Sequence, residues 1–153
     1  MRVSHLMTTH IQTCGSRDSL SQAAHCMWTH DCGSLPVIEA DGAQRIVGMI
    51  TDRDICMSAL FKGRPLGELL VSDAMATEVM TCRPMDSLGT AEQIMRDARI
   101  RRLPVVDDEG TLLGMLTLAD LALASARAGT SARKGLTGGE VGMTLASICA
   151  PTH

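Results

Sequence analysis

Residues 48–55 read GMITDRDI and residues 114–121 read GMLTLADL, so the pattern Gly-Met-(Ile/Leu)-Thr-x-x-Asp occurs twice, 66 residues apart. The tripeptide Leu-Pro-Val lies upstream of each copy, at residues 35–37 and 103–105, with a spacing of 68 residues. Further positions repeat with this spacing of 68: Met7 and Met75, Cys14 and Cys82, and Asp-Ser-Leu at 18–20 and 86–88. Anchors that recur in the same order and register indicate an internal duplication.

The first copy predicts the element order β-α-β-β-α. A short extended segment ends at Cys14, and Ser19 with Gln22 forms a capping box that begins a helix. Two short apolar runs divided by an Asp-Gly turn at residues 41–42 predict a hairpin. Thr51 suits the N-cap of a second helix, predicted to end near Leu60.

The second copy has the corresponding features. These are Cys82, a helix start at Asp86 or Ser87, a Glu-Gly turn at residues 109–110, the N-cap Thr117 and a helix end near Arg127. Beyond this copy, residues 129–139 are rich in Gly, Ser and Thr, which is typical of a mobile segment, and residues 141–148 are apolar enough to dock as a helix.

We therefore expect an α/β (α+β) fold in which two β-α-β-β-α units pack as a pseudo-two-fold tandem pair, followed by a short C-terminal tail. The expected boundaries are 1–61 for the first domain, 62–70 for a linker, 71–128 for the second domain and 129–153 for the Gly-rich tail with its short helix. The linker assignment depends on Gly63, Pro65 and Gly67.

Composition excludes several classes of partner. Fourteen Lys and Arg residues face 17 Asp and Glu residues, for a net charge of −3, and Trp28 and Phe61 are the only aromatic side chains apart from histidine. This balance supplies neither a basic surface for a phosphate backbone nor a stacking platform for bases, so no nucleic acid is expected. The most apolar window, residues 111–126, is shorter than the ~20 residues of a membrane span, and no export signal is visible. We expect a cytoplasmic protein without a membrane partner.

Catalytic and metal-binding motifs are not found in the sequence. It has no hydrolase Gly-x-Ser-x-Gly elbow, no phosphate-binding Gly-x-x-x-x-Gly-Lys loop and no dinucleotide fingerprint. The six cysteines form no Cys-x-x-Cys pair, and the histidines form no His-x-x-x-His pair, so no metal site is expected and the thiols are expected to be reduced. The sequence predicts a protein that is not an enzyme.

The duplicated Thr-x-x-Asp junction is the strongest candidate site. Asp54 and Asp120 each follow a predicted strand, and a carboxylate there can accept hydrogen bonds from both hydroxyls of a ribose. The adjacent helix N-terminus, with Thr51 or Thr117, also favours an oxygen-rich ligand. A purely structural interpretation is that Thr caps the helix and Asp complements its dipole. The duplication favours ribose binding.

Two β-α-β-β-α copies, each with Leu-Pro-Val and a Gly-x-(Ile/Leu)-Thr-x-x-Asp junction, resemble a tandem pair of CBS domains, also called a Bateman module, over about residues 6–127. The layout resembles small free-standing bacterial CBS proteins. The resemblance implies a regulatory module that binds AMP, ADP, ATP or S-adenosylmethionine, requires no cofactor and forms a dimer of tandem pairs.

The resemblance also implies roles for residues beside the junctions. Arg101 and Arg102 precede the second Leu-Pro-Val, where CBS domains often carry a phosphate-binding basic residue, whereas the first copy has Gly33 and Ser34 there. Adenine would lie against aliphatic side chains of the Pro strands, with Val37 and Val105 as candidates, although each is also a typical core residue.

Two functions follow as hypotheses. The first is a sensor that binds an adenosine-containing ligand and modulates an unknown partner protein. The alternative is a non-catalytic structural or stress-associated dimer with vestigial nucleotide pockets, in which Cys14 or Cys82 would give redox sensitivity. In either case a homodimer is expected, with the contact surface assigned to the second helix of each copy: Ile55, Ala59, Leu121 and Leu123.

Overall fold

A computed structural model describes residues 1–128 and 138–149, which form five α-helices and five β-strands. The elements are β1 (Cys14–Gly15), α1 (Leu20–Thr29), β2 (Ser34–Ile38), β3 (Ile46–Thr51), α2 (Asp52–Lys62), α3 (Leu88–Ala98), β4 (Arg102–Val106), β5 (Leu112–Thr117), α4 (Leu118–Ala128) and α5 (Gly138–Cys149). The mixed α/β fold predicted from the duplication is confirmed. The predicted mobile segment at 129–139 lies outside the described residues except for its last two positions, which begin α5.

The chain forms two compact units whose limits differ from those of the sequence repeats. One unit, the first-repeat unit, holds residues 11–79 and 109–112. The other, the second-repeat unit, holds residues 1–10 and 80–108 together with the described residues from 113 onward. Residues 1–10, at the start of the first repeat, therefore belong to the second-repeat unit, and residues 71–79, at the start of the second repeat, belong to the first-repeat unit.

The first-repeat unit is built on a three-stranded sheet in the order β1-β2-β3. β1 pairs parallel to β2, and β2 pairs antiparallel to β3, with Leu35 opposite Ile50. These two residues are fully buried in a core formed with the inner face of α1 and with Ile55 of α2. The predicted hairpin is thus confirmed, and one apolar face of each helix covers the sheet.

The second-repeat unit repeats this plan with a smaller sheet. β4 and β5 form a two-stranded sheet, and the segment ending at Cys82 makes only a single parallel bridge to Val105, so the predicted first strand of this copy is reduced to one residue pair. The predicted C-terminal helix is present as α5, which packs on α3 and α4. Val141 of α5 joins the core of this unit.

Two of the predicted dimer-contact residues lie inside these cores. Ile55 is 5% exposed and Leu121 is fully buried, because each is on the helix face that covers its own sheet. The assignment of these two side chains to a dimer surface is therefore wrong. Leu123 is exposed, and Ala59 is half-buried.

The glycine that begins each repeated motif permits an additional edge pairing. The backbone of Met49 pairs with Ala76, and a Cβ atom on Gly48 would lie 2.9 Å from the carbonyl oxygen of Ala76. In the second-repeat unit, a Cβ on Gly114 would lie 2.9 Å from the carbonyl oxygen of Thr8. The first segment of each repeat can approach the sheet this closely because these positions lack a side chain.

The predicted helix starts are also found. Ser19 accepts a hydrogen bond from the backbone N–H of Gln22, and the Gln22 side chain accepts one from the backbone N–H of Ser19, which completes the capping box of α1. Ser87 rather than Asp86 caps α3, and it accepts a hydrogen bond from the backbone N–H of Thr90.

Candidate functional site

The Thr51–Asp54 junction forms a reciprocal cap at the N-terminus of α2. Thr51 Oγ1 accepts from the backbone N–H of Asp54 at 3.2 Å. Asp54 Oδ2 accepts from the backbone N–H of Thr51 at 2.9 Å and from its hydroxyl at 2.8 Å. One carboxylate oxygen thus closes the helix end.

The Thr117–Asp120 junction has the same geometry at α4. Asp120 Oδ2 accepts from the backbone N–H of Thr117 at 2.8 Å and from its hydroxyl at 2.6 Å, and Thr117 Oγ1 accepts from the backbone N–H of Asp120 at 3.2 Å. Thr117 therefore caps the helix, as the purely structural interpretation of the motif predicts. The two repeats place the same groups in the same arrangement.

The second carboxylate oxygen of each aspartate is not used by the cap. Within residues 1–128 and 138–149, neither Asp54 Oδ1 nor Asp120 Oδ1 accepts a hydrogen bond. The capping hydrogen bonds hold both side chains in place. Both are half-buried, so they still reach solvent. A fixed carboxylate oxygen with unused lone pairs can accept from a hydroxyl group of a ligand.

A backbone hydrogen bond brings the start of the Pro strand to the same junction. The backbone N–H of Leu118 donates to the carbonyl oxygen of Arg101 at 2.9 Å, which places Arg101 and Arg102 beside the N-terminus of α4. Arg102 is exposed, and its side chain has no hydrogen-bond or ion-pair partner in the described part of the chain. Arg101 instead directs Nη2 to Cys149 Sγ of α5 at 3.6 Å. The second-repeat junction therefore carries a carboxylate, a hydroxyl and, at the start of the neighbouring strand β4, an arginine whose guanidinium group has no partner among the described residues.

The first-repeat junction has the same backbone but no cation at these positions. The backbone N–H of Asp52 donates to the carbonyl oxygen of Gly33 at 3.1 Å, and Ser34 lies opposite Thr51 in the β2–β3 ladder. Ser34 is 9% exposed, and its Oγ has no hydrogen-bond partner in the part of the chain that the structure describes. Sequence reasoning missed this hydroxyl, since only its place in the ladder shows that it is buried beside the junction.

The two valines proposed as adenine contacts are core residues. Val37 and Val105 have no exposed surface, and each belongs to the core of its own unit. A side chain without accessible surface cannot form the wall of an open site, so these assignments are corrected. In the first-repeat unit, the neighbouring Ile38 is half-buried and can be reached.

Burial also determines the state of the two repeated thiols. It raises the pKa of Cys14 to about 12, with a further contribution from the nearby Asp18 carboxylate. It raises the pKa of Cys82 to about 12 as well, assisted by Asp86. Because the thiolate is the reactive form, these cysteines are poor redox sensors.

The composition of the described residues bears on metal binding and on membrane insertion. No group of three or more His, Cys, Asp or Glu side chains among them could hold a metal ion. No helix among them has the length and apolar character needed to cross a membrane.

The fold and the duplicated junction define a tandem module of two similar α/β units. The family model for the CBS domain matches residues 3–60 and 71–127. The chain therefore belongs to the CBS-domain family and contains two such domains in tandem.

Several relatives agree with this assignment. The CBS domain-containing protein YhcV of Bacillus subtilis is 40% identical over 121 residues, which cover 79% of this chain and 83% of that protein. Hypoxic Response Protein I, solved with two coordinated zinc ions, has a TM-score of 0.72 and 28% identity over 80% of this chain and 98% of that one. The CBS domain pair of MJ0100, solved in complex with 5-methylthioadenosine and S-adenosyl-L-methionine, has a TM-score of 0.70 and 25% identity over the same shares.

Proposed function

We propose that this protein is a regulatory sensor that binds an adenosine-containing ligand at its Thr-Asp junctions and modulates a partner protein. The observation that carries this proposal is the pair of capped aspartates, each with one oxygen in the helix cap and one oxygen that accepts no hydrogen bond from the described residues. The complex of the MJ0100 domain pair with S-adenosyl-L-methionine supports the choice of ligand class. AMP, ADP, ATP and S-adenosylmethionine are the candidates.

In this proposal the free oxygens of Asp54 and Asp120 accept hydrogen bonds from the ribose hydroxyls. Both hydroxyls of one ribose can donate to the same carboxylate, and its negative charge strengthens these hydrogen bonds. Thr51 and Thr117 keep each aspartate in place. The N-terminus of the following helix adds a positive partial charge close by. The site is thus preorganised by the same hydrogen bonds that begin the helix.

The two junctions should differ in their preference for phosphate. Arg102 follows the residue whose carbonyl oxygen is bonded to the N-terminus of α4, and it is exposed and has no side-chain partner among the described residues, so it can form charge-assisted hydrogen bonds with a phosphate group. Arg101 can assist only if it leaves Cys149. At the first junction, Gly33 and Ser34 carry no charge, so this site suits a ligand without phosphate, such as S-adenosylmethionine.

The remaining parts of the proposal concern the whole chain. We infer a non-catalytic cytoplasmic protein that works as a homodimer and has neither nucleic acid nor membrane as a partner. The net charge of −3 supports the exclusion of nucleic acid. We further propose that residues 1–61 and 71–128 are the two evolutionary domains.

A panel of ligands in a thermal-shift assay tests the proposal. A ligand at a hundredfold excess over its dissociation constant adds about 2.7 kcal/mol to the free energy of unfolding. In a chain of this size that corresponds to a rise in melting temperature of roughly 5–11 °C. If AMP, ADP, ATP and S-adenosylmethionine all leave the melting temperature unchanged at millimolar concentration, and no nucleotide co-purifies, the sensor function is wrong.

A pair of variants tests whether Arg102 binds the phosphate of a ligand. Arg102→Ala should reduce the shift caused by AMP and ATP while leaving that caused by S-adenosylmethionine unchanged. Arg17→Ala removes the same charge from an exposed position of the first-repeat unit and should change neither. Equal losses for all ligands in Arg102→Ala would show that this arginine does not recognise phosphate.

The alternative, a structural dimer with vestigial pockets, would be favoured by a protein that dimerises without binding any of these ligands. Its redox component is weakened by the raised pKa values of Cys14 and Cys82.

A further inference from the structure

Helix α5 is held on the second-repeat unit by a small contact. It packs against α3 and α4, but only Val141 and Thr144 of its 12 residues are buried. A helix of this length is marginal in water on its own, so α5 depends on these contacts for its helical structure. Gly142 weakens the helix further. Packing does not require glycine at this position, since a Cβ there meets no atom within 4 Å in the described residues outside the backbone of its own helix.

Polar groups of α3 that lie near α5 are incompletely paired. Arg96 Nη2 donates to Thr144 Oγ1 at 3.2 Å, but neither Arg96 Nε nor Glu92 Oε1, which are both buried, has a hydrogen-bond partner among the described residues. The Glu140 carboxylate of α5 also raises the pKa of Glu92, so docking of α5 brings two carboxyl groups near each other. Buried polar groups without partners lower stability. The docked position of α5 is therefore less stable than its apolar contacts alone would make it.

The last residue of α5 contacts an arginine that is also bonded to the second-repeat junction. Arg101 Nη2 lies 3.6 Å from Cys149 Sγ, and the carbonyl oxygen of Arg101 accepts a hydrogen bond from the backbone N–H of Leu118, the first residue of α4. Arg101 is thus tied to α5 through its side chain and to the start of α4 through its backbone.

The two possible partners of the Arg101 side chain differ in strength. A thiol is a weak acceptor, whereas hydrogen bonds between a guanidinium group and a phosphate are charge-assisted. A phosphate group bound at the second-repeat junction would therefore draw Arg101 away from Cys149. Because α5 has few other contacts, the loss of this one should loosen the helix.

We propose that α5 is a releasable cover of the face formed by α3 and α4, and that a phosphate-bearing ligand at the second-repeat junction loosens it by taking Arg101 from Cys149. This proposal rests on the proposed function and assigns its regulation. A sensor needs two states that its ligand distinguishes, and the docked and released positions of α5 supply them. S-adenosylmethionine, which has no phosphate group, should bind without loosening α5.

Thermodynamic linkage makes the coupling measurable from either side. If phosphate binding loosens α5, loosening α5 strengthens phosphate binding by the same factor. Cys149→Ala removes the contact with Arg101 and should tighten the binding of ATP by about threefold or more. Gly142→Ala strengthens the helix and should weaken the binding of ATP. Neither variant should change the affinity for S-adenosylmethionine.

Hydrogen–deuterium exchange of the unmodified protein tests the release directly. Mass spectrometry measures the exchange of the backbone amides of residues 138–149 without ligand, with ATP and with S-adenosylmethionine. ATP should accelerate exchange in α5 by about fivefold or more, and S-adenosylmethionine should not. If ATP binds, as calorimetry measures, and the exchange of α5 is unchanged, the proposal is overturned while the sensor function stands.

Calorimetric titration of the variants with ATP and S-adenosylmethionine completes the test. Cys56→Ala, which removes an exposed thiol from α2 of the first-repeat unit, is the matched control for Cys149→Ala and should leave both affinities unchanged. Equal affinity for ATP in Cys149→Ala, Gly142→Ala and the wild type would show that α5 and the junction are not coupled.

The ligand panel separates the failure of this proposal from the failure of the proposed function. If no adenosine-containing ligand binds to the wild type or to Cys149→Ala, both are contradicted. If S-adenosylmethionine binds and ATP binds to neither protein, only the release of α5 is contradicted. ATP that binds to Cys149→Ala and not to the wild type would support the release, because the contact with α5 would then be what prevents binding.

Discussion

Asp54 and Asp120 each serve a structural role that is visible and a ligand role that is proposed, and the two roles use different oxygen atoms. Oδ2 accepts two hydrogen bonds from the preceding threonine, whereas Oδ1 is free within the described residues. A substitution at either aspartate must therefore be chosen to separate stability from binding. Asn keeps one carbonyl oxygen for the cap and removes the charge, whereas Ala removes both.

The helix cap should make a measurable contribution to the free energy of unfolding. Asp120→Ala should lower the free energy of unfolding by about 1–2 kcal/mol, because two donors at Thr117 lose their acceptor. The melting temperature should fall by roughly 2–8 °C. The melting temperature of Asp120→Asn should fall by less than that of Asp120→Ala. Differential scanning calorimetry without ligand measures both, and an unchanged melting temperature in Asp120→Ala would show that the capping hydrogen bonds contribute nothing.

Glu92 of α3 lies in an environment that disfavours its charged form. It is 4% exposed in α3, and its Oε1 has no hydrogen-bond partner among residues 1–128 and 138–149. Burial raises the pKa of this carboxyl above the ordinary 4.5, and the Glu140 carboxylate of α5 raises it further, while Arg96 partly offsets both. The folded protein therefore holds this proton more tightly than the unfolded chain does.

The sign of the pH effect follows from that difference. Glu92 contributes most to stability below the ordinary pKa, and this contribution is lost as pH rises from about 4.5 through the raised value. At pH 7, Glu92→Gln should raise the free energy of unfolding by about 1 kcal/mol. The difference in melting temperature between wild type and variant, measured from pH 4 to 7, should grow with pH; a constant difference would contradict the assignment.

At the scale of elements, the repeated glycines determine how close the edge segments can lie. Gly48→Ala would place a Cβ 2.7 Å from Met75 Sδ and 2.9 Å from the Ala76 carbonyl oxygen. Since that carbonyl is part of the backbone, the edge pairing must shift, at a cost of about 1–3 kcal/mol. Chemical denaturation of the variant measures this loss.

Gly142 of α5 provides the control. A Cβ there meets no atom within 4 Å in the described residues outside the backbone of its own helix. Alanine favours a helix over glycine by up to about 1 kcal/mol, so Gly142→Ala should be neutral or stabilising. If both variants lose the same stability, the close approach at Gly48 is not the cause.

Most elements could be predicted because their signals are local. The Ser19–Gln22 capping box, the Asp-Gly hairpin turn and the Thr51 and Thr117 caps are each specified within a few residues. Packing partners carry no such signal. Met7 and Met75 occupy equivalent positions in the repeats, and this equivalence does not show that each segment packs in the other repeat's unit.

Some residues of the candidate site could be predicted from the sequence and others could not. The Thr-Asp pairs were found from spacing, since capping geometry fixes their distance. Val37 and Val105 were misassigned because a strand buried on both faces has the same apolar composition as the wall of an apolar site. Ser34 was missed because a serine gives no sequence signal of burial without a partner.

For the molecule as a whole, the thiols report on the integrity of both units. All six cysteines are free, with Cys56 and Cys149 exposed and Cys14 and Cys82 buried in separate units. In the native protein, alkylation should therefore modify Cys56 and Cys149 first and Cys14 and Cys82 last, as mass spectrometry of labelled peptides can show. Under denaturing, non-reducing conditions all six should react; fewer would indicate a disulfide, and rapid labelling of Cys82 would contradict its burial.

The central claim is that an adenosine-containing ligand binds through the free oxygen of the junction aspartates. Isothermal titration calorimetry with AMP, ADP, ATP and S-adenosylmethionine, applied to wild type, Asp54→Asn and Asp120→Asn, tests it most directly, since Asn keeps the helix cap. We predict binding to the wild type and at least about tenfold weaker binding, equivalent to 1.4 kcal/mol, in the variant of the occupied junction. No binding to the wild type, or equal affinity in all three proteins, would contradict the claim.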